Sequence, residues 1–400
     1  MSRFKTSISA LRRHAVANSL FRPTTLKRAI ERLGFVQADP IRSPARAQDL
    51  ILRHRVKNYR AGDLETKYPR LGIEEDFLYA YGFMPQSTWR LLHPRVDIRL
   101  TSAEQRVFEL VSDKDHLHPR ELEEHLGRAR EVNAWGGYSK ATTRILHSLH
   151  YRGLLRVSGR ANGIRTYEAI PSKTCADTEV DPRDRLKRLI VLITNILAPV
   201  PERSLRAALQ HLAHAAPALE GRHSTLTALI ESGDLANAEV EGIRYLWPAG
   251  PLVRKPAARL VRVLAPFDPL VWDRRRFQHF WGWEYRFEAY TPVAKRKRGY
   301  YAMPLLWGED IIGWVNIASR AENGLEIETG FPLSKPSEKA FREEFQAEME
   351  RISRFLRVGA ESHGKQVNEH HSRFGKGRPL PLTILNARPN TKPRPTAMRS

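Results

Sequence analysis

Four hundred residues, 41% of them hydrophobic, suffice for two or three domains with buried cores, and a formal net charge of +22 points to a polyanionic partner. The single cysteine, Cys175, excludes an intrachain disulfide and a cysteine-based zinc site. The longest apolar run, Leu189 to Val200, is interrupted by Thr194 and Asn195 and is too short to span a bilayer, and no signal-peptide pattern opens the chain, so a cytoplasmic, nucleoid-associated protein is expected.

The charge is concentrated at the start. Residues 1–60 carry 14 Lys/Arg against 3 Asp/Glu, a net of +11 and half of the total excess. The cations are mostly arginines interleaved with amphipathic helix, which favours double-stranded DNA over a membrane surface. Ser7 to Phe21 reads as a first helix, with Ile8, Leu11 and Ala15 inward, and Thr24 to Leu33 as a second, closed by Gly34. After an extended piece, Phe35 to Asp39, the pair Ser43 and Pro44 has the form of an N-cap and first position of a helix over 44–57. Ala47, Leu50, Ile51 and His54 would face inward, leaving Arg46, Arg53, Arg55 and Lys57 on the outer face. Three short basic helices predict a helix-turn-helix core in a first unit, residues 1–95.

A second unit, 96–175, is clearer. Thr101 to Glu104 is a capping box opening a helix through Val111. Pro119 to Leu126 and Ser139 to Arg152 are two further helices, and Leu154 to Val157 with Ile164 to Ala169 form a hairpin around Asn162-Gly163. Arg156, Arg160 and Arg165 would decorate this wing. The pattern repeats over 181–250. Helices open at Asp181-Pro182 and run over Ser204–Leu212 and Ser224–Ser232, followed by a hairpin of Leu235–Val240 and Ile243–Trp247. Both wings contain Gly-Ile-Arg, at 163–165 and 242–244.

From Val261 the period changes to short strands, Glu284–Tyr290, Tyr300–Leu306, Ile311–Ala318 and Leu325–Gly330, with turns at 308–310 and 322–324. Ser337 to Val358 returns to helix with a stripe of Phe341, Phe345, Met349, Ile352 and Leu356. The expected fold class is α+β: tandem winged-helix domains, then a small antiparallel β-barrel and C-terminal helix over 255–360. The tail, 361–400, holds 8 Lys/Arg and 2 Asp/Glu with repeated prolines and is expected to be disordered.

Little familiar chemistry is encoded. There is no phosphate loop and no Gly-x-Ser-x-Gly elbow. The i,i+3 pairs His147/His150 and His211/His214 lack a nearby third ligand, so no metal and no cofactor is expected. Trp272, Trp281, Trp283, Trp307 and Trp314 fit a barrel core. There remain Gln37 and Asp39. Alternation along an extended strand puts both on one face, with Val36 and Ala38 on the other. Taken alone, Gln-x-Asp before Pro40 fits a turn or cap as well as a site.

The surrounding residues decide between these. Gly34 to Val56, Gly-Phe-Val-Gln-Ala-Asp-Pro-Ile-Arg and onward, resembles the catalytic segment of the YcaQ/AlkZ-like winged-helix DNA glycosylases. Leu264 to Arg276 resembles a second block of that family, continuing through Tyr290-Thr291-Pro292, Lys295-Arg296 and Gly299-Tyr300-Tyr301, and Phe83-Met84-Pro85 matches a third. The similarity spans about residues 5–330. It implies an open cradle that accepts bulky lesions, and a monofunctional glycosylase in which Gln37 and Asp39 are catalytic. A carboxylate near C1′ stabilises the oxocarbenium-like sugar or takes a proton from water, and an amide holds that water. An alkylated purine is already cationic and leaves with little acid help. The family's Gln-x-Asp branch is associated with unhooking interstrand crosslinks. Expected DNA contacts are Arg42, Arg46, Arg53, Arg55, Lys57, Arg144, Arg165, Arg274, Arg275, Lys295 and Arg296, in a protein acting as a monomer, while Asp273 is expected to be a structural partner in its block. Three positions, Tyr81, Gly82 and Pro40, depart from the pattern. Tyr79-Ala80-Tyr81-Gly82 stands where many crosslink-branch members have aromatic-Ala-His-Glu, and Pro40 replaces a common Thr. A non-catalytic winged-helix regulator is the alternative.

Overall fold

The computed structural model describes residues 6–95, 99–114, 116–126, 130–132, 138–170, 180–320, 324–358 and 383–386. Cys175 and most of the turn at 322–324 lie outside these residues.

The first unit begins with α1 (Ile8–Ser19), capped by the Ser7 hydroxyl, and α2 (Leu26–Leu33), capped by Thr25 and stopped at Gly34, whose φ of +73° suits glycine. Next come β1 (Val36–Gln37), α3 (Ala47–Leu52), α4 (Asp63–Lys67), β2 (Ile73–Phe77), β3 (Tyr81–Pro85) and α5 (Gln86–Leu92). The expected helix over 44–57 is shortened at both ends. At its start Asp39 Oδ1 accepts the Ile41 N–H in an Asx turn, so the chain runs irregularly to Arg46, which caps α3 with no side-chain hydrogen bond. At its end the Thr24 N–H donates to Arg55 O and the Lys57 N–H to Thr24 O, drawing Val56 into a bridge with Thr24. The strands β2 and β3 were not foreseen. They form an antiparallel sheet in the order β1-β3-β2, with Val36 opposite Phe83 and Gln37 opposite Gly82. The sheet seats the site: Phe35 points into the core of the third unit, Val36 into the core shared with the second.

The second unit holds α6 (Ser102–Ser112) with its complete Thr101/Glu104 capping box, α7 (Pro119–Leu126), a short pair β4 (Arg130–Val132) and β5 (Tyr138–Lys140), α8 (Ala141–Tyr151), and the hairpin β6 (Leu155–Ala161) with β7 (Ile164–Ala169). The third holds α9 (Pro182–Leu197) capped by Asp181, β8 (Val200–Pro201), α10 (Glu202–Ala215), α11 (Arg222–Glu231), and the hairpin β9 (Leu235–Val240) with β10 (Ile243–Pro248). His150 is buried with its ring edge-on to Tyr167, and His214 stacks on Tyr151.

The C-terminal part comprises β11 (Val261–Val263), α12 (Pro269–Trp272), α13 (Arg274–Trp281), β12 (Met303–Trp307), β13 (Asp310–Arg320), β14 (Gly324–Gly330), α14 (Lys339–Leu356) and β15 (Thr383–Asn386). Its sheet runs in sequence order from β11 to β15 and stays open, half a barrel rather than a closed one, and β14 and β15 are parallel. The expected strand over 284–290 does not form. Its aromatic side chains dock instead: Trp283 donates to Ile311 O (2.9 Å) and Tyr285 to Ala302 O (2.7 Å), leaving the backbone irregular. Asp273 caps α13, accepting from the N–H groups of Arg275 and Arg276. Of the tail expected to be disordered, Thr383–Asn386 is a strand and the remainder lies outside the described residues. No helix among the described residues is long and apolar enough to cross a membrane.

Candidate active site

Gln37 ends β1, and its Oε1 is buried without a hydrogen-bond partner. That is an unusual condition for an amide, since a buried polar atom left unpaired costs free energy. The chain then leaves the sheet through Ala38, whose N–H donates to Tyr81 O (2.9 Å). The Asp39 N–H donates to the buried Gln48 side chain on α3 (3.3 Å), so helix and sheet together fix the carboxylate. Burial raises the Asp39 pKa above the ordinary carboxylate value, and the Ile41 N–H opposes that rise. Burial raises the phenols of Tyr290 and Tyr301, and the nearby charge of Asp39 adds to the rise in both. Tyr301 is buried, and its hydroxyl also lacks a partner.

Asp39 lies on the wall of a cleft of about 640 Å³ between the first and second units. Arg46, Glu75 and Tyr81 line it from one side, His118, Arg120, His147 and Arg165 from the other; Gln37 is not on this wall. Glu75 is buried and accepts from Arg160 (2.6 Å) and Arg165 (2.9 Å), and Arg156 bridges Glu74 (3.1 Å) and Glu168 (2.9 Å). Burial outweighs Arg156 and pushes Glu74 up to about 7. Arg165 also sits over the Tyr81 ring, 4.5 Å from its centroid. The arginines of the second unit's hairpin therefore clamp it to β2 rather than standing free.

The departures from the family pattern have a steric side. A Cβ on Gly82 would overlap Val36 O and the Phe35 ring, so a glutamate at this position requires the β1–β3 contact to open. Tyr81 fills the neighbouring position, its hydroxyl buried without a partner.

The expected DNA contacts separate into two groups. Arg42, Lys57, Arg144, Arg275 and Lys295 are exposed. Arg46 reaches the cleft but is ion-paired with Glu65. Arg296 donates to Thr291 O and covers Tyr300, and Arg165 serves Glu75. Arg53, Arg55 and Arg274 correct the expectation. Because α3 stops at Leu52, Arg53 turns inward to Glu348 and Val263 O, and Arg55 is fully buried against Asp268. Arg274 donates to Val271 O and Pro266 O. The acids Glu74 and Glu75, together with Tyr290 and Tyr301, were missed as site components. Tyr290 and Tyr301 stand in the block that carries the resemblance, which was the available signal for them, while the two acids offered none.

A family model described as DNA glycosylase AlkZ-like matches residues 30–355. The chain belongs to the AlkZ-like DNA glycosylase family. The matched span runs from just before Gln37 almost to the end of α14, so it takes in the site, both three-helix-and-hairpin units and β11 to β14 of the half-barrel. The solved structure of the Streptomyces sahachiroi DNA glycosylase AlkZ is similar with a TM-score of 0.58 at 13% identity, over 96% of this chain and 100% of that one, which establishes a common fold. Membership in the AlkZ-like family makes DNA the partner and DNA repair the setting of this chain's chemistry.

Proposed function

We propose that this chain is a monofunctional DNA glycosylase hydrolysing the N-glycosidic bond of alkylated purines in duplex DNA, bulky and crosslinked adducts included. The two three-helix-and-hairpin units are read as winged helices forming one side of a cradle, with the protein acting as a monomer. The observation that carries the proposal is the pairing, two residues apart, of a buried amide oxygen with no partner and a partly desolvated carboxylate on a cleft wall. Gln37 Oε1 accepts a hydrogen bond from a water. Asp39 faces the sugar, stabilises positive charge at C1′ and takes the water's proton. The C1′–N bond breaks with its electron pair going to the cationic base, which departs neutral, and the water oxygen bonds to C1′ to leave an abasic sugar. An open cleft of about 640 Å³ suits a bulky adduct. The test is incubation with duplexes bearing N7-alkylguanine or a nitrogen-mustard crosslink, followed by detection of abasic sites. Asp39→Asn is expected to bind as wild type and lose base release by roughly 10²-fold or more, the scale of one positioned base. Gln37→Ala is expected to lose less. Equal release by a well-folded Asp39→Asn overturns the assignment.

A further inference from the structure

Two buried polar atoms are left unpaired beside one carboxylate. Gln37 Oε1 is an acceptor two residues before Asp39, and the Tyr301 hydroxyl is a donor on the segment that leads into β12. Tyr301 is 2% exposed, and its hydroxyl has no partner among the described residues. Tyr285 shows what a structural phenol does in the same block: equally buried, it donates to Ala302 O at 2.7 Å.

A phenylalanine would fill the Tyr301 position as well. The ring packs edge-on against Phe287 (5.3 Å) within an apolar core. The hydroxyl adds nothing to that packing, and burying it unpaired is costly. Such a group is normally met by a water or a ligand. Its place is fixed, because Ala302 is tied to Tyr285 and Met303 opens β12 opposite Val315.

The surroundings of Tyr301 point to Asp39. The core that holds it is the one Ala38 and Ile41 pack against, on either side of that carboxylate. Burial raises the phenol most, and of the ionisable groups around it Asp39 adds most, yet no hydrogen bond joins the two. Polar groups that interact beyond bonding distance are the usual setting for a bridging water. Tyr81, an unpaired phenol on the cleft wall, differs: after burial, the charges acting on it are first those of Glu75 and Arg165.

We propose that the Tyr301 hydroxyl is the third member of the seat for the attacking water. The water donates one O–H to Gln37 Oε1 and the other to Asp39, accepts from Tyr301, and keeps its remaining lone pair for C1′. All four positions around its oxygen are then assigned, which fixes the direction of attack. As the C1′–O bond forms, the water's proton passes to Asp39 and the base leaves with the C1′–N electron pair. Tyr301 keeps its own proton, since burial and the neighbouring carboxylate make it a donor rather than a base. The inference rests on the glycosylase reading of Gln37 and Asp39.

The test is single-turnover base release by the full chain from a duplex bearing N7-alkylguanine. Tyr301→Phe keeps the ring and removes only the hydroxyl. It is expected to melt at or above the wild-type temperature, to bind the duplex as wild type does, and to release base roughly 10- to 10²-fold more slowly, the scale of a misplaced reacting group. Combined with Gln37→Ala, it is expected to cost little beyond the worse of the two single variants, because both hold one water. A rate equal to wild type, a loss that follows a lowered melting temperature, or a double variant whose loss is the product of the singles overturns the role of Tyr301. Asp39→Asn separates the two proposals. If it loses base release while Tyr301→Phe does not, only the role of Tyr301 falls. If it releases base at the wild-type rate, the reading of the site falls and the role of Tyr301 with it.

Discussion

At Asp39, activity and stability respond to pH in opposite directions. Its folded pKa lies above the ordinary carboxylate value because burial penalises the charge more than the Ile41 N–H rewards it. The folded protein therefore holds this proton to higher pH than the unfolded chain does. The group's contribution to stability is full below the unfolded value of about 3.9 and is lost as pH rises through the folded value. In the proposed reaction base release needs the ionised form, so its acidic limb is expected to lie above the ordinary Asp range and to vanish in Asp39→Asn, whose residual rate stays flat over that window. The same variant is expected to melt at or slightly above wild type at neutral pH, since it removes a partly desolvated charge while the amide oxygen still accepts from Ile41. A pH–rate profile and paired melting curves check both statements, and a variant that melts well below wild type would mean that the carboxylate is there for the fold.

At the scale of elements, β2 is the strand the sequence disguised. Ile73 to Phe77 carries Glu74, Glu75 and Asp76, a run that reads as solvated loop, yet all three acids are buried. They are buried because arginines distant in the sequence meet them: Arg156, Arg160 and Arg165 from the second unit's hairpin and Arg95 from beyond α5. No local pattern encodes such pairing. Local signals did succeed where structure is local. The Thr101/Glu104 capping box, the stop at Gly34 and the bounds of Pro119–Leu126 all stand where sequence places them. Asp76 shows what the long-range pairs are worth. It accepts from Trp89 Nε1 and His93 Nε2, each at 3.0 Å, and meets Arg95, which also donates to the carbonyls of Phe77, Tyr151 and Ala215. Burial alone would raise the Asp76 pKa, but Arg95 and the His93 hydrogen bond outweigh it and hold the carboxyl below its usual range, while burial brings His93 down to about 4 and keeps it neutral. Both shifts make the fold acid-sensitive. Stability is lost first between about pH 6.5 and pH 4, where the unfolded chain protonates its histidine and the folded one does not, and then further as Asp76 is protonated. Asp76→Asn, which leaves Arg95 buried without its counter-charge, is expected to destabilise the protein by about 3 kcal/mol and to flatten the lower part of that acid limb. A urea midpoint measured across pH reads both effects.

The whole molecule is tied together at the two blocks that carry the family resemblance. Gly34–Val56 and Leu264–Arg276 are more than two hundred residues apart, and Arg55 joins them with a fully buried two-pronged bridge to Asp268, at 2.8 and 3.0 Å. Ser19 and the Ile51 carbonyl take the remaining guanidinium protons, and His54 reaches Val263 O (2.8 Å) beside it. The motif residues were legible but their direction was not: a cationic helical face suggests phosphate contacts, and only the stop of α3 at Leu52 shows that Arg53 and Arg55 turn inward. Asp268 also caps α12 through the Leu270 N–H, so one carboxylate sets that helix and anchors the segment carrying Gln37 and Asp39. Breaking a buried pair from one side strands the other charge, so Asp268→Ala and Arg55→Met are each expected to cost about 3–5 kcal/mol. Arg55→Met combined with Asp268→Leu leaves no stranded charge, only a lost cap of about 1 kcal/mol and altered packing, so its cost is expected to fall well below the sum of the singles. The double variant also separates scaffold from chemistry. At temperatures where it is fully folded it is expected to keep duplex affinity within a few-fold while base release drops, because the segment carrying Gln37 and Asp39, the proposed catalytic residues, is no longer tethered to the half-barrel block. Unfolding midpoints of the four proteins give the coupling, and additive single costs would show that Arg55 and Asp268 stabilise the fold independently rather than as the bridge between its two halves.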